Sequence, residues 1–251
     1  MHALLAILLA LIAIFSLAVP ETFPTWLSFQ AITSAKAVVA LLALAVMVPL
    51  ATDEFDLSVG YALGLGHVLA IGFQVKAGLG WELACALVLL ICTGVGIVNG
   101  LLVTRGRISS FIATLGTGTF LYGVGQWYTD GQQIFAPDYP AGFLFWSENL
   151  LQIPVGLLVV LCLALLLWLG FEYLAIGRFL YVTGANPRAA DLTGISSRRY
   201  KLLAFAGAGL LTGVASVLLA SQLRVGQSGV GPDFVLPAFA GALLGATSVR
   251  P

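Results

Sequence analysis

Residues 83–104 read LACALVLLICTGVGIVNGLLVT and contain no charged side chain. A helix of about 20 predominantly apolar residues crosses the hydrocarbon core of a bilayer, whereas a membrane-spanning strand needs only about 10. The stretch lacks the strict alternation of apolar and polar residues that marks a strand. It therefore predicts a transmembrane helix and an integral membrane protein.

Uncharged stretches of this kind recur along the 251 residues of the chain. The others are 1–20, 37–52, 57–75, 108–129, 149–171, 202–223 and 234–249. Because the last stretch is short, we predict an all-α polytopic membrane protein with about seven transmembrane helices and a partial eighth or re-entrant segment. Stretch 37–52 is also short, so its helix is expected to begin near Ala31, with Lys36 reaching the outer headgroups.

The composition excludes several classes of protein. Only 9% of the residues are charged, against about 25% in soluble domains. Eleven basic residues balance eleven acidic ones, so we expect membrane lipid and no nucleic acid as a partner. The three cysteines lie in apolar runs and the two histidines are far apart in sequence, which predicts no metal site and no cofactor. No lysine follows a glycine, so a Walker A motif is absent and no catalytic residue or ATPase activity is expected in this chain.

The basic residues predict the orientation of the chain. Eight of them share one side of the membrane, namely Arg105, Arg107, Arg178, Arg188, Arg198, Arg199, Lys201 and Arg250, while the other side has only Lys36, Lys76 and Arg224. The positive-inside rule then predicts a multi-pass protein of the inner (plasma) membrane with a cytoplasmic N-terminus. Stretch 1–20 also fits a cleaved signal peptide, but it lacks the usual leading Lys or Arg, so an uncleaved first helix is preferred.

Many of the 29 glycines are spaced as GxxxG. The pairs are Gly60/Gly64, Gly96/Gly100, Gly209/Gly213 and Gly241/Gly245. Small residues at this spacing let membrane helices approach closely, and we expect packing within the chain, with a homodimer face as the alternative. Further glycines between 116 and 125 predict an irregular helix that is buried in protein or lines a cavity.

Asp53, Glu54 and Asp56 form an acidic cluster before stretch 57–75. A pair of catalytic carboxylates is one interpretation of it. The preferred interpretation is a loop or helix-entry cluster in which Asp56 caps the free N–H groups of the next helix.

The connection 184–195, GANPRAADLTGI, predicts a two-turn helix. Asn186 is a good N-cap, Pro187 suits the first helical position, and Gly194 can adopt the left-handed conformation that ends a helix. Ala189 and Ala190 keep the helix slim enough to enter a groove of a partner. A docking helix and an amphipathic connector on the headgroups are equally good interpretations of this pattern.

Three stretches together resemble the permease subunits of ATP-binding-cassette importers for monosaccharides, of the ribose and xylose type. Phe55–Gly60 is similar to the family motif G-I-D-L-S-V-G. Asn99–Val103, followed by Phe111–Gly116, is similar to N-G-L-L-V and the P-F-I-V-T-L that comes after it. The segment 184–195 is similar to G-G-N-x-x-A-A-x-x-x-G-I. The three occur in family order over roughly residues 40–248.

The resemblance implies a single permease domain over residues 1–251, with 184–195 as a cytoplasmic coupling-helix segment. The implied partners are an ATPase subunit, a periplasmic sugar-binding protein and a second permease copy or paralogue. Residues implied to couple to the ATPase are Asn186, Pro187, Ala189, Ala190 and Gly194. Those implied to lie near the substrate path are Asp56, Ser58, Asn99, Phe111 and Thr114.

The chain departs from the family in two places. Ala51–Phe55 carries charge where the family has a glycine-rich approach, which admits a polyol or an unusual pentose as substrate. The family also continues beyond the stretch that corresponds to Gly245–Ser248, so we expect a permease truncated at its C-terminus. The alternative functions are a secondary solute transporter or facilitator and an inactive truncated membrane subunit.

Overall fold

The computed structural model describes the backbone of residues 2–249 and the side chains of residues 6–245. Arg250, which contributes to the predicted charge asymmetry, lies outside the described residues, and so do the side chains of 246–248 in the last family-like stretch. Helices dominate the described part of the chain.

The helices are α1 (His2–Ala18), α2 (Trp26–Leu50), α3 (Ser58–Val75), α4 (Trp81–Thr104), α5 (Ser110–Thr129), α6 (Ala141–Leu144), α7 (Val155–Glu172), α8 (Ala175–Ala185), α9 (Pro187–Leu192), α10 (Ser197–Leu223) and α11 (Val235–Val249). Short 3-10 turns cover Phe145–Ser147 and Gly231–Phe234. The strands are β1 (Ile134–Phe135), β2 (Asn149–Leu150), β3 (Ile153–Pro154) and β4 (Val225–Gly226), paired antiparallel as β1 with β4 and β2 with β3.

Each predicted uncharged stretch coincides with a helix, and the all-α polytopic membrane fold is confirmed. Five helices, α2, α3, α4, α7 and α10, are long and apolar enough to cross a membrane. Helix α2 begins at Trp26 and not near Ala31, because Thr25 caps it: the Thr25 hydroxyl accepts a hydrogen bond from the Ser28 N–H at 3.2 Å. Lys36 therefore lies inside the helix, and its side chain is exposed.

Helix α10 lies against α2, α3 and α4, and it approaches α4 very closely. A Cβ added at Gly96 would overlap the carbonyl oxygen of Phe205, and one added at Gly209 would overlap that of Cys92. The two GxxxG pairs of α4 and α10 therefore face each other. For these glycines the interpretation as packing within the chain is confirmed.

The connections between helices gather on two opposite faces. On one face, Gly184 at the end of α8 packs against Ala51, and Lys201 reaches Glu54. We call this side, with connections 51–57, 105–109 and 173–196, the basic face. Its membership matches the arginine-rich side predicted from the sequence, and its placement in the cytoplasm remains a prediction.

The opposite face is held together by backbone pairing and one buried histidine. Strand β1 pairs with β4, with Ile134 opposite Gly226. His67 of α3 accepts a hydrogen bond from the Gln227 N–H at its Nε2, 3.1 Å away, while its Nδ1 lies 2.8 Å from the Gly64 carbonyl oxygen. These contacts fix the segment before α11 to α3 and to the connection after α5.

Candidate functional site

The residues 51–57, here called the junction segment, link α2 to α3 on the basic face. Pro49 lies in the last turn of α2, and its carbonyl accepts hydrogen bonds from the N–H groups of Thr52 and Glu54 at 2.8 and 3.1 Å. Asp53 completes the turn in the left-handed region with φ 59°. The chain thus reverses direction tightly, and α3 starts beside α2.

A chain of buried polar side chains joins the junction segment to α3 and α4. Asp56 Oδ1 accepts hydrogen bonds from the Ser58 N–H at 3.0 Å and from the Ser58 hydroxyl at 2.6 Å. The Asn99 Nδ2 donates to the same Ser58 hydroxyl at 2.8 Å. All three residues are at most 2% exposed. Asp56 therefore accepts a hydrogen bond from the first N–H group of α3, as predicted, although Leu57 occupies the N-cap position. The acidic cluster is a helix entry in this structure.

Burial changes the chemistry of Asp56 and Asn99. Loss of hydration raises the pKa of Asp56 to about 6, although the two hydrogen bonds from Ser58 act in the opposite direction. The Asn99 Oδ1 has no hydrogen-bond partner among the described residues. The Asp56 carboxyl, whose pKa burial raises, thus lies two hydrogen bonds away from the unpartnered Asn99 Oδ1.

Helix α5 holds the junction segment from the other side. The Ser110 hydroxyl accepts a hydrogen bond from the Phe55 N–H at 3.1 Å, and the Thr114 hydroxyl accepts one from the Leu57 N–H at 3.0 Å. Thr114 is fully buried and donates to the Ser110 carbonyl at 2.7 Å. Two N–H groups that precede α3 are satisfied in this way.

Four of the five predicted path residues, Asp56, Ser58, Asn99 and Thr114, lie in this buried network. Phe111 does not. Its side chain is 52% exposed and lines an open cavity of about 640 Å³ on the basic face. Arg107, Arg198 and Lys201 line the same cavity.

An ion pair that the sequence pattern does not predict links the junction segment to α10. Lys201, in the second turn of α10, lies 2.5 Å from the Glu54 carboxylate, and the two side chains are only 19% and 12% exposed. The pair joins positions far apart in sequence. The sequence offers only an indirect signal for this pair. Lys201 belongs to the predicted arginine-rich side, and a carboxylate buried at a turn needs an opposite charge beside it.

The segment 184–195, which the resemblance implies to be a coupling helix, has the predicted helical geometry; its coupling role stays a prediction. Asn186 Oδ1 accepts a hydrogen bond from the Ala189 N–H at 3.0 Å, and Pro187 occupies the first helical position. Gly194 has φ 84°, and its N–H donates to the Asp191 carbonyl, while the Ile195 N–H donates to the Ala190 carbonyl. This pair of bonds is a Schellman C-cap.

Helix α9 presents one of its two alanines outward. Ala189 is exposed, whereas Ala190 is fully buried against the rest of the chain. Asp191 bonds to the Ser197 N–H and hydroxyl, both at 2.9 Å, and these bonds hold the pKa of the Asp191 carboxyl below its usual value. Helix α9 is therefore fixed to the first turn of α10.

Helix α5 also carries an uncovered face. Phe111, Leu115, Thr119 and Tyr122 are exposed along it. A Cβ added at Gly116 or Gly123 would meet no atom within 4 Å. The same face also exposes the large apolar side chains of Ile112 and Phe120, so its hydroxyl and glycine positions lie among apolar ones. This unpacked face starts beside the buried network.

Comparison with known proteins gives a consistent family. Residues 28–250 match the family model described as "Branched-chain amino acid transport system / permease component". The chain is 34% identical over 214 residues to the ribose import permease protein RbsC of Bacillus subtilis, covering 85% of this chain and 66% of that protein. It is 33% identical to the Haemophilus influenzae protein of the same name, covering 96% and 75% of the two chains.

A second group of relatives has a different named substrate. The chain is 33% identical over 247 residues to the autoinducer 2 import system permease protein LsrC of Yersinia enterocolitica, covering 96% of this chain and 67% of that protein. No solved structure matches significantly. The family resemblance predicted from the three motifs is confirmed: the chain belongs to the permease-component family of ATP-binding-cassette importers, whose members are membrane subunits and not enzymes.

Proposed function

We propose that this chain is the membrane permease of an ATP-driven importer for a monosaccharide or a related polyol. It works in the inner membrane as a pair of permeases, together with ATPase subunits and a sugar-binding protein outside. The ribose and autoinducer 2 permeases among its relatives support a small polar solute as the substrate class.

The observation that carries this proposal is the uncovered face of α5. The exposed Thr119 and Tyr122 place two hydroxyl groups on this face, and among the described residues these groups bond only within α5, to the Leu115 carbonyl and with Gln126. A path for a polar solute would use hydroxyl groups presented in this way. Gly116 and Gly123 leave open space on the same face. A second permease copy placed against α5 would enclose a path lined by hydroxyl and aromatic groups.

The buried network lies beside the end of that path nearest the basic face. Sugar hydroxyl groups need hydrogen-bond donors and acceptors. The unpartnered Asn99 Oδ1 is an acceptor, and two hydrogen bonds through Ser58 connect Asn99 to Asp56. In the present arrangement Asn99 and Thr114 are fully buried. Substrate access to them therefore requires a rigid-body movement of helices, as in alternating access.

Reconstitution tests the proposal directly. The chain, its ATPase and its binding protein are placed in proteoliposomes, and uptake of radiolabelled D-ribose is measured with ATP or with a non-hydrolysable analogue. We expect uptake only with hydrolysable ATP, and competition by unlabelled pentoses but not by L-leucine. Leucine competition would instead indicate the substrate class named by the family model.

Two other outcomes would contradict the proposal. Uptake that proceeds without ATP and without the ATPase would identify a secondary transporter or facilitator. Partner binding without movement of any tested solute would identify an inactive membrane subunit. A binding-protein-free control establishes whether uptake depends on substrate delivery from outside.

A further inference from the structure

The Glu54–Lys201 ion pair joins two parts of the chain that are far apart in sequence. Among the described residues it is the only ion pair within 4.0 Å. Because both side chains are mostly buried, the attraction between them is screened less than that of a surface pair. It connects the junction segment, which precedes α3, to α10, which follows the coupling-helix segment.

On one side of the pair, α9 and the start of α10 form one unit. The Asp191 carboxylate holds the N–H and hydroxyl of Ser197, and the Schellman cap fixes the residues between them. Lys201 lies one helical turn after Ser197 and so on the same side of α10. A displacement of α9 therefore moves the Lys201 ammonium group with it.

On the other side of the pair, Glu54 belongs to a segment with little freedom. The next N–H group, that of Phe55, is held by Ser110, and that of Leu57 by Thr114. Glu54 lies two residues before Asp56, which binds Ser58. A displacement of the Glu54 carboxylate therefore also displaces Asp56 and the Ser58 and Asn99 side chains bonded to it.

We infer that the Glu54–Lys201 ion pair transmits movement of α9 to the junction segment, and so acts as a positioning contact in the coupling of ATP hydrolysis to transport. The inference rests on the proposed function. The inference gives Glu54 a role in transmitting helix movement. In the sequence, the charge of Ala51–Phe55 had instead suggested a different substrate. A purely structural ion pair would stabilise the fold without affecting coupling.

The charges around the pair make a reciprocal exchange feasible. Asp53 is adjacent to Glu54 in sequence and Asp56 is two residues further on, so a lysine at position 54 would have carboxylates nearby along the chain. Arg198 lies one helical turn before Lys201 on α10 and lines the same cavity as Glu54, so a glutamate at position 201 would meet a cation, with the Asp191 carboxylate as a nearby like charge. The exchange variant Glu54→Lys with Lys201→Glu therefore retains an ion pair of opposite polarity.

The test compares Glu54→Gln, Lys201→Met and the exchange variant in proteoliposomes with the ATPase and binding protein. The measured quantity is D-ribose imported per ATP hydrolysed. Allosteric coupling typically changes a binding affinity by about 5- to 150-fold. On that scale, we expect each single variant to lower the ratio of D-ribose to ATP by at least about fivefold. The exchange variant should return it to within about twofold of the original. Asp53→Asn and Arg199→Met are matched controls, since both residues are exposed and neither forms the pair.

A second measurement does not require a transported sugar. Hydrogen exchange at the Phe55 and Leu57 amides is followed with and without the bound ATPase. We expect ATPase binding to change their protection in the original chain but not in Lys201→Met. An unchanged response in Lys201→Met, or an equal loss of coupling in both controls, would overturn the inference even if D-ribose proves to be the wrong solute. Absence of ATP-dependent uptake by the original chain would count against the proposed function alone.

Discussion

The Asn99 amide donates a 2.8 Å hydrogen bond to the Ser58 hydroxyl, and this contact joins the end of α4 to the first residue of α3. The same hydroxyl donates to Asp56, so one oxygen satisfies two buried partners. Ser58 is therefore a buried polar link between α3 and α4, added to the packing of Gly66 against Cys92.

Replacement of Ser58 by alanine should destabilise the protein by about 1–3 kcal/mol, because the Asn99 amide and the Asp56 carboxyl then lose a buried partner. The thermal midpoint of the detergent-solubilised protein, followed by size-exclusion chromatography, measures the effect. Ser109→Ala is the control, since Ser109 is exposed and its side chain forms no cap bond to α5. Equal midpoints for the two variants would contradict the role of Ser58.

Asp56 predicts a specific pH dependence of stability. Its folded pKa of about 6 is above the ordinary value of 3.8, so the folded state binds the proton more tightly than the unfolded state. Stability from this group is complete below about pH 4 and is lost as the pH rises through 6. In Asp56→Asn, the fall in the thermal midpoint between pH 5 and pH 8 should be smaller than in the original chain.

Asp191 does not interfere with that measurement. Its pKa is lowered, so its contribution is present above the ordinary value of 3.8 and is lost only as the pH falls through the lowered value. Parallel pH curves for the original chain and Asp56→Asn above pH 4 would show that Asp56 is not the titrating group.

Gly96→Ala should destabilise the protein by about 1–3 kcal/mol, because the added methyl group meets the Phe205 backbone and forces α4 and α10 apart. Gly94 lies on the same helix, and a Cβ there meets nothing within 4 Å. Gly94→Ala should therefore be neutral or stabilising by up to about 1 kcal/mol, as alanine favours a helix. The difference between the two thermal midpoints measures the packing term, and a difference near zero would refute the close crossing.

Gly194→Pro should strongly reduce coupled uptake while leaving the membrane helices folded. Proline cannot adopt φ 84° and lacks the N–H that donates to the Asp191 carbonyl, so the cap of α9 is lost. Gly194→Asn is the matched control, since asparagine tolerates the left-handed conformation and keeps the N–H. D-ribose uptake per ATP should fall at least about fivefold in the first variant and stay within about twofold in the second.

Gly123→Cys tests whether the uncovered face of α5 meets a second copy. In a background in which Cys162 is replaced by serine, we expect a short bismaleimide to link two copies through position 123. The native chain is the control, because its Cys162 is exposed on α7, away from α5. Cross-linking through Cys162 but not through position 123 would move the dimer contact to α7.

The helices could be predicted from the gaps between charges, because lipid imposes the same requirement on every span. Their ends depend on local contacts: the start of α2 is set by the Thr25 cap, which hydropathy does not register. The small helix α9 was predictable to the residue, since Asn186, Pro187 and Gly194 each specify a backbone conformation.

The buried network was only partly predictable. The motif resemblance implied that Asp56, Ser58, Asn99 and Thr114 lie near the substrate path. It did not indicate that Ser58 bonds to both Asp56 and Asn99. Glu54 and Lys201 are remote in sequence, and their pairing follows from how α10 packs beside the junction segment. Such long-range pairs have no periodic or local signature, so they become visible only once the helices are placed.

The tight crossing of α4 and α10 has a consequence for how the protein is made. Gly209 is synthesised more than a hundred residues after Gly96. At about 5–20 residues per second, α4 must wait in the bilayer for roughly 5 to 20 seconds before its partner leaves the ribosome. During that interval its glycine groove is open to any other helix nearby. The order of synthesis, and not only the final packing, therefore exposes this permease to misassembly when many copies are inserted at once.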